Sequence, residues 1–546
     1  MDNKRVLVAF VLSFAVLIGF RVLFPPPPEP PASSSVPPAA ANTSATPART
    51  PVPSSSPASP VSTPVHNDVH ADETQQIPVE TPLYKAVLSN QGGVLRSFQL
   101  KGSYSDDSGQ PVELINKMSG SSVGWPFAIT TDDPKVDEVL AHGNYAISQT
   151  GDLKWSLEFA FEGLYVHKIL EFDKDNYQLT LTTAVEKNGA AVPHRVNWLA
   201  GFGDQSLPDE PKKKSVVYQS DSKFVREVLS GIKDNKDLTT SLIGAEDQYF
   251  MAMFRLDQPA PVKYGQTVFN TAEGTTAQAL HIAVPGGTAV KIYVGPKENE
   301  HLIKADSRLG DILDYGWFGF ISKPVILPVL KWIYKYVGNY GWAIVLITCL
   351  VNLVLFPLRL KSQISMQKMQ KIQPQINTLQ DKYKKLKAND PRRAEVQAEM
   401  MKLYQEHGSP LGGCLPLLLQ MPVLLAFYRM LSVSIELRHA PWILWVHDLS
   451  RPDPYYIIPI FMAIAMFIGQ KMTPTTVDPA QAKMMAIMPL VMTVFFLWVQ
   501  AGLTLYWLTS NLVGIGQQWF IRKYWSDNSD TKQARPNRKK QALPGS

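Results

Sequence analysis

Cysteine is nearly absent. Only Cys349 and Cys414 occur in 546 residues, each inside an apolar run with no metal-ligand neighbour, so neither a disulfide framework nor a thiolate metal centre has support. Both read as small packing residues. The chain also lacks H-E-x-x-H, G-x-S-x-G and any glycine-rich phosphate loop, and its histidines and carboxylates form no catalytic spacing; this argues against the common metalloprotease, serine-hydrolase and nucleotide-hydrolysing classes. No cofactor, metal or enzymatic activity is expected. Internal pseudo-symmetry is missing too, which removes the usual signature of a small-solute transporter, with its broken helices in matching halves.

What is present is strongly segregated. Mean hydropathy is −0.07, near zero because very apolar and very polar segments average out, and the net charge of +6 is concentrated between Arg359 and Lys402 and in the tail after Trp519. Behind Lys4 and Arg5 lie about nineteen largely apolar residues, long enough to span a bilayer. They read as an uncleaved signal anchor with a cytoplasmic N-terminus; small residues at Ala39 to Ala41, which could resemble a cleavage site, lie far beyond the run.

The chain is therefore expected to be a multi-domain membrane protein: an α-helical transmembrane core of six spans, a β-sandwich periplasmic domain and a cytoplasmic helical hairpin. The expected boundaries are a signal anchor at 6–24, a Pro/Ser-rich periplasmic linker at 25–81, which cannot bury enough surface to fold, and the β-sandwich at 82–310, where runs such as "LYVHKILEF" and "YQLTLTTAV" alternate. An interfacial amphipathic helix follows at 311–338, with Trp317, Trp332 and Tyr336 at headgroup depth. Further spans are expected at 339–359, 411–433, 455–471, 483–499 and 502–521, the hairpin at 360–408, a periplasmic connection at 434–454, a cytoplasmic loop at 472–482 and a basic cytoplasmic tail at 522–546. Lys/Arg excess in short loops marks the cytoplasmic side, and this arrangement places both basic segments there while the nearly charge-balanced connection with Trp442, Trp445, Tyr455 and Tyr456 stays outside.

Within the hairpin, Met369, Ile372, Ile376, Leu379, Tyr383 and Leu386 recur at steps of three and four, a heptad seam. Asp390 is the expected N-cap of a second helix with Pro391 at its first position, and Val396, Met400 and Leu403 continue the period. Pro374 predicts a kink near the hairpin base.

Five stretches in order, "YGWAIVLITCLVNLVLFPL", "SPLGGCLPLLLQMPVLLAFYRML", "ELRHAPWILWVHDLSRPDPYYIIPI", "IGQKMTPTTVDPAQAKMM" and "GLTLYWLTSNLVGIGQQ", closely resemble the bacterial YidC family of membrane protein insertases (YidC/Oxa/Alb), in its long Gram-negative form with a large periplasmic domain. The match is dense from Asp311 to about Tyr524, and "VLSNQGG" at Val87 to Gly93 echoes the start of that family's periplasmic domain. The resemblance implies a five-helix core with a hydrophilic groove open to cytoplasm and lipid, which receives hydrophilic parts of nascent membrane proteins while apolar segments slide into lipid, independently of or together with the Sec translocon, in the inner membrane and without nucleotide hydrolysis. It also implies a chaperone role in folding and assembly.

Independently of that resemblance, Asn352 is an amide inside an apolar span, expensive in hydrocarbon and a functional question by default. Thr348 lies four residues before it on the same face, Gln420 interrupts the third span, and Thr509, Ser510 and Asn511 interrupt the last, after Tyr506 and Trp507. These residues, with Arg359, are the candidates for lining a substrate groove; interhelical hydrogen bonding is the alternative for each. The family usually carries an arginine where this chain has Asn352. Arg359 lies two turns on, about 10 Å nearer the cytoplasm, either snorkelling to the interface or reaching back to the groove mouth. Lys384, Lys385, Arg392 and Arg393 in the hairpin, and Arg535, Arg538, Lys539 and Lys540 in the tail, are candidate contacts for the ribosome or for anionic lipid. An envelope scaffold is the remaining rival, but one span would suffice to anchor it.

Overall fold

The structure is a computed structural model, and it describes residues 68–106, 108–204, 214–221, 223–270, 276–387, 390–407, 415–472 and 479–525. The signal anchor, most of the linker, Cys414 and the tail candidates Arg535, Arg538, Lys539 and Lys540 lie outside the described residues. Packing divides into two units, 63–476 with 489–546 and 1–62 with 477–488; of the second, only helical residues from Pro479 are described.

Period-two alternation builds the N-terminal half. Leu164–Phe172 alternates strictly between buried and less buried positions along most of its length, and with Ala146–Gly151, Lys154–Phe161 and Gln178–Lys187 it forms an antiparallel meander. Its turn at Glu162 and Gly163 (φ 48° and 77°), like the turn at Asn188 and Gly189 (φ 53° and 79°) that leads from Gln178–Lys187 into Ala190–Ala191, has successive positive φ angles, the two-residue connection that matches strand twist. The meander joins Phe250–Asn270 through Val290–Pro296. That 21-residue strand is a fork, because its first half pairs with Val290–Pro296 and its second with Thr276–Pro285, which leads on to Arg195–Trp198 and Ala128–Thr130.

The domain is thus β-rich, and its described residues form one 13-stranded sheet and a 3-stranded one, Gln76–Glu80, Tyr84–Ser89 and Val94–Leu100. The small sheet packs on the large one through Tyr84, whose ring lies 6.4 Å from that of Phe172 and whose hydroxyl donates to the Asp173 carbonyl at 2.8 Å. Its first strand corrects the expected linker boundary at 81: Ile77 and Val79 pair with Leu88 and Ala86, and upstream Val69 pairs with Ala160, so the end of the polar-looking segment is folded. Lys168 is fully buried, its Nζ donating to the carbonyls of Gly92, Gly93 and Phe127 at 2.8, 3.0 and 2.9 Å, which pins the "NQGG" turn to the meander.

The C-terminal half is helical: α1 Leu327–Val337, α2 Tyr340–Val354, α3 Phe356–Lys385, α4 Arg392–His407, α5 Leu415–Val433, α6 Ile457–Met472, α7 Pro479–Phe496 and α8 Ala501–Trp525. The expected amphipathic helix at 311–338 is not continuous. Gly316 takes a positive φ of 67°, and a π turn, Ser322–Ile326, precedes α1; Pro324 and Pro328, which have no N–H to donate, account for the irregular ladder. Within α1, Leu330 and Ile333 are buried while Trp332 and Tyr336 are exposed.

Among the described residues no single helix is long and apolar enough to cross a membrane; α2 and Phe356–Met369 pass that test only as a pair bent by 57°. The bend falls inside the second span expected over 339–359. Pro357 has no N–H to donate to the Leu353 carbonyl four residues back, and the helix breaks at Leu355 and restarts at Phe356. Pro374, in contrast, sits inside the unbroken helix α3. α2 and α6 both pack along α8, and α3 packs on α4. In that hairpin Met369, Ile372 and Ile376 bury against Tyr404, Asp390 Oδ1 accepts the Arg392 N–H at 3.0 Å, and Arg393 lies over the Tyr383 ring at 4.4 Å.

The β domain and the helical core share one apolar cluster. Asp204 and Arg438 form a buried ion pair across them. Gln248 Nε2 donates to the Ser432 carbonyl at 3.2 Å. Lys331 on α1 meets Glu436 at 2.8 Å, Glu300 at 3.5 Å and Glu298 at 3.6 Å; burial would lower its pKa, but these carboxylates, Glu436 foremost, hold it above the ordinary lysine value. Trp442 seats on α2 where Gly341 leaves room, since a Cβ there would come within 2.2 Å of the indole.

Candidate functional site

α2, α3, α5 and α8 meet at one polar seam. Asn352 is buried near the end of α2 (1% exposed). Its Nδ2 donates to the Thr348 carbonyl at 2.7 Å, and its Oδ1 accepts Ser510 Oγ from α8 at 3.4 Å. Helix ends leave carbonyls without intrahelical partners, and near the break the Asn352 carbonyl accepts Gln517 Nε2 at 3.0 Å. The other end of that amide, Gln517 Oε1, accepts Arg359 Nη1 at 3.2 Å. Arg359 Nη2 donates to Gln420 Oε1 at 2.7 Å, and Gln420 Nε2 donates in turn to Tyr506 Oη at 2.7 Å and Ser510 Oγ at 3.2 Å. Phe427 stacks on Tyr506 at 4.4 Å and fixes its ring.

Two properties follow. The guanidinium is held by neutral amides, and among the described residues no carboxylate pairs with it, so its charge is not cancelled locally. It also lies against Gly514, where an added Cβ would sit 3.7 Å from Nη1. Arg359 thus turns towards α8 and does not extend away along α3.

Of the candidates read from the sequence, Asn352, Arg359, Gln420, Tyr506 and Ser510 are brought together. Thr348 is buried beside them, but its hydroxyl bonds to the Ile344 carbonyl of its own helix at 2.6 Å; only its backbone carbonyl joins the seam. Trp507 and Thr509 are not part of the hydrogen-bonded chain. Trp507 packs on Phe496 at 5.4 Å with its buried Nε1 unpartnered, and Thr509 is buried off the seam. Gln517 was missed, although it continues the helical stripe of Tyr506 and Ser510, all within about 40° of one another around α8. Elsewhere, Lys384, Lys385 and Arg392 are exposed near the hairpin tip while Arg393 is partly withdrawn over Tyr383. Cys349 is a free, half-buried thiol.

The chain is thus a large β-rich domain fused to a helical core that carries a buried polar seam. Residues 76–327 match the YidC periplasmic domain model and residues 332–528 the 60Kd inner membrane protein model. The chain is 38% identical to membrane protein insertase YidC of Citrifermentans bemidjiense, over 96% of this chain and 100% of that one, and 36% identical to the Nitratidesulfovibrio vulgaris insertase over 95% and 99%. Among solved structures, an active YidC insertase with its first transmembrane domain resolved aligns at 19% identity and TM-score 0.36, covering 84% of this chain and 95% of that one. The chain belongs to the YidC family of membrane protein insertases.

Proposed function

We propose that this chain inserts integral membrane proteins into the bacterial inner membrane, and helps them fold and assemble, by offering their hydrophilic segments a wet groove along the α2–α3–α5–α8 seam while apolar segments pass into lipid. A charged residue at mid-bilayer costs roughly 2.5–3.5 kcal/mol on insertion scales, so a polar seam that reaches part-way lowers the barrier to an acidic tail without nucleotide hydrolysis. The observation that carries this reading is Arg359, a cation held in the seam by Gln420 and Gln517 with no carboxylate beside it among the described residues. It supplies the attraction for acidic client segments, and Asn352 keeps the seam hydrogen-bonded.

On this reading there are six spans: the anchor at 6–24, bent α2 with the start of α3, α5, α6, α7 and α8. Both termini and the α3–α4 hairpin are cytoplasmic, the β domain is periplasmic and α1 lies in the outer interface. The protein works independently of or beside the Sec translocon, and Lys384, Lys385, Arg392 and Arg393, with the tail cluster Arg535, Arg538, Lys539 and Lys540, meet the ribosome or anionic lipid. Photo-crosslinking a stalled nascent chain tests the groove: probes at Ser510 and Gln517 should capture hydrophilic client residues, and probes at the exposed Leu353 and Val354 apolar ones. Identical capture at both sets would overturn it.

A further inference from the structure

Gln517 occupies the one point where three elements must agree. Its Nε2 donates to the carbonyl of Asn352 on α2, its Oε1 accepts from Arg359 on α3, and its backbone belongs to α8. The two hydrogen bonds use both ends of a single planar amide, so the position of the Asn352 carbonyl, set by the break at Leu355, dictates where the acceptor for Arg359 lies. An arginine on a helix beyond the bend would otherwise be free to extend its long side chain to the polar interface. Gln420 alone restrains one nitrogen; the second contact, to Gln517, fixes the guanidinium plane.

We infer that Gln517 is a positioning residue for the insertase: it clamps Arg359 inward against the bend of α2 and α3, and so sets the preference for clients with acidic hydrophilic segments. This rests on the reading of Arg359 as the groove cation. Gln517 is also chemically suited to the task, because a neutral amide can accept from Arg359 without cancelling its charge, whereas a carboxylate in the same place would form an ion pair and compete with the client.

The test measures insertion, by the full-length protein in proteoliposomes, of two clients that differ only in an acidic or a neutral translocated tail. Gln517→Glu keeps the acceptor and the side-chain size but neutralises Arg359, so the acidic-to-neutral rate ratio should fall roughly tenfold, the scale of one charged hydrogen bond. Arg359→Ala should give the same ratio, and the double variant Gln517→Glu/Arg359→Ala no lower one. Gln517→Leu, which releases the arginine without pairing it, should lower the ratio by an intermediate amount and serves if the glutamate variant does not accumulate. A normal ratio in both Gln517 variants beside a reduced one in Arg359→Ala would overturn the positioning role alone. Equal slowing of both clients would make Gln517 a packing residue. An unchanged ratio in Arg359→Ala itself would remove the groove-cation reading and this inference with it.

Discussion

Asp204 of the β domain and Arg438 of the loop after α5 pair in a site that leaves their side chains 1% and 5% exposed, and the guanidinium also lies 5.3 Å from the ring centre of Phe250. Removing one partner of such a pair strands a buried charge, a loss of about 3–5 kcal/mol. Asp204→Asn should therefore lower the thermal midpoint of the full chain in detergent and speed hydrogen exchange around Ser434 to Ala440. Asp204→Leu/Arg438→Met should lose less than Asp204→Asn alone; equal or greater loss would show that the pair adds net stability.

Lys168 gives a pH dependence with a definite sign. Burial pulls its pKa down to about 7 in the folded chain, whereas an unfolded lysine titrates near about 10.4. Between those values the unfolded state binds the extra proton, so stability rises with pH, by at most about 1.4 kcal/mol per unit. Below pH ~7 the contribution is flat. Denaturant unfolding of the full chain from pH 6 to 10 should show that rise, and Lys168→Met should flatten it.

Asn352→Leu removes the acceptor for Ser510 but leaves the backbone carbonyl for Gln517. The stability cost should be small, about 0.6 kcal/mol, while insertion of acidic-tailed and neutral-tailed clients falls together as the seam dries. In the Arg359→Ala background, Asn352→Arg should restore the acidic-tailed client by returning a cation to the same seam. If the acidic-tailed client is not restored, the cation's position along the seam matters as much as its presence.

Topology is open to direct measurement. Single cysteines at Lys223 and Lys384, both exposed, in a background without Cys349 and Cys414 should react with an impermeant maleimide in opposite ways: the first from outside spheroplasts, the second only after lysis. Labelling of position 384 from outside would sink the cytoplasmic hairpin.

The sequence made parts of this legible for identifiable reasons. Thr348 and Asn352, four residues apart, had to share a helix face, and the heptad run from Met369 to Leu379 had to bury one seam. Trp507 and Thr509 fall outside the hydrogen-bonded chain because polarity in an apolar run marks a stretch, not a face: on α8 they lie about 100° and 60° away from Tyr506. Gln517 escaped notice because it falls where the apolar run gives way to "QQWFIRK" and interfacial polarity is ordinary. The strand Gln76–Glu80 was hidden by Pro78 and by the low-complexity segment before it; only its partner Tyr84–Ser89 gives it a sheet to join. The fork in the large sheet was not legible at all, since alternation reports faces and says nothing of which strand lies beside which.

The break at Leu355 has a mechanical meaning. α3 runs 30 residues, about 45 Å, from that break to the hairpin tip, and Arg359 sits about 6 Å from the same point. The helix is therefore a lever with its fulcrum at the bend, geared down roughly sevenfold between tip and arginine. A partner that tilts the hairpin tip by about 4 Å shifts the root by about half an ångström, comparable to the difference between the 2.7 Å and 3.2 Å bonds that Arg359 makes to Gln420 and Gln517. A tilt at the tip would thereby change the arginine's hold without any contact at the seam.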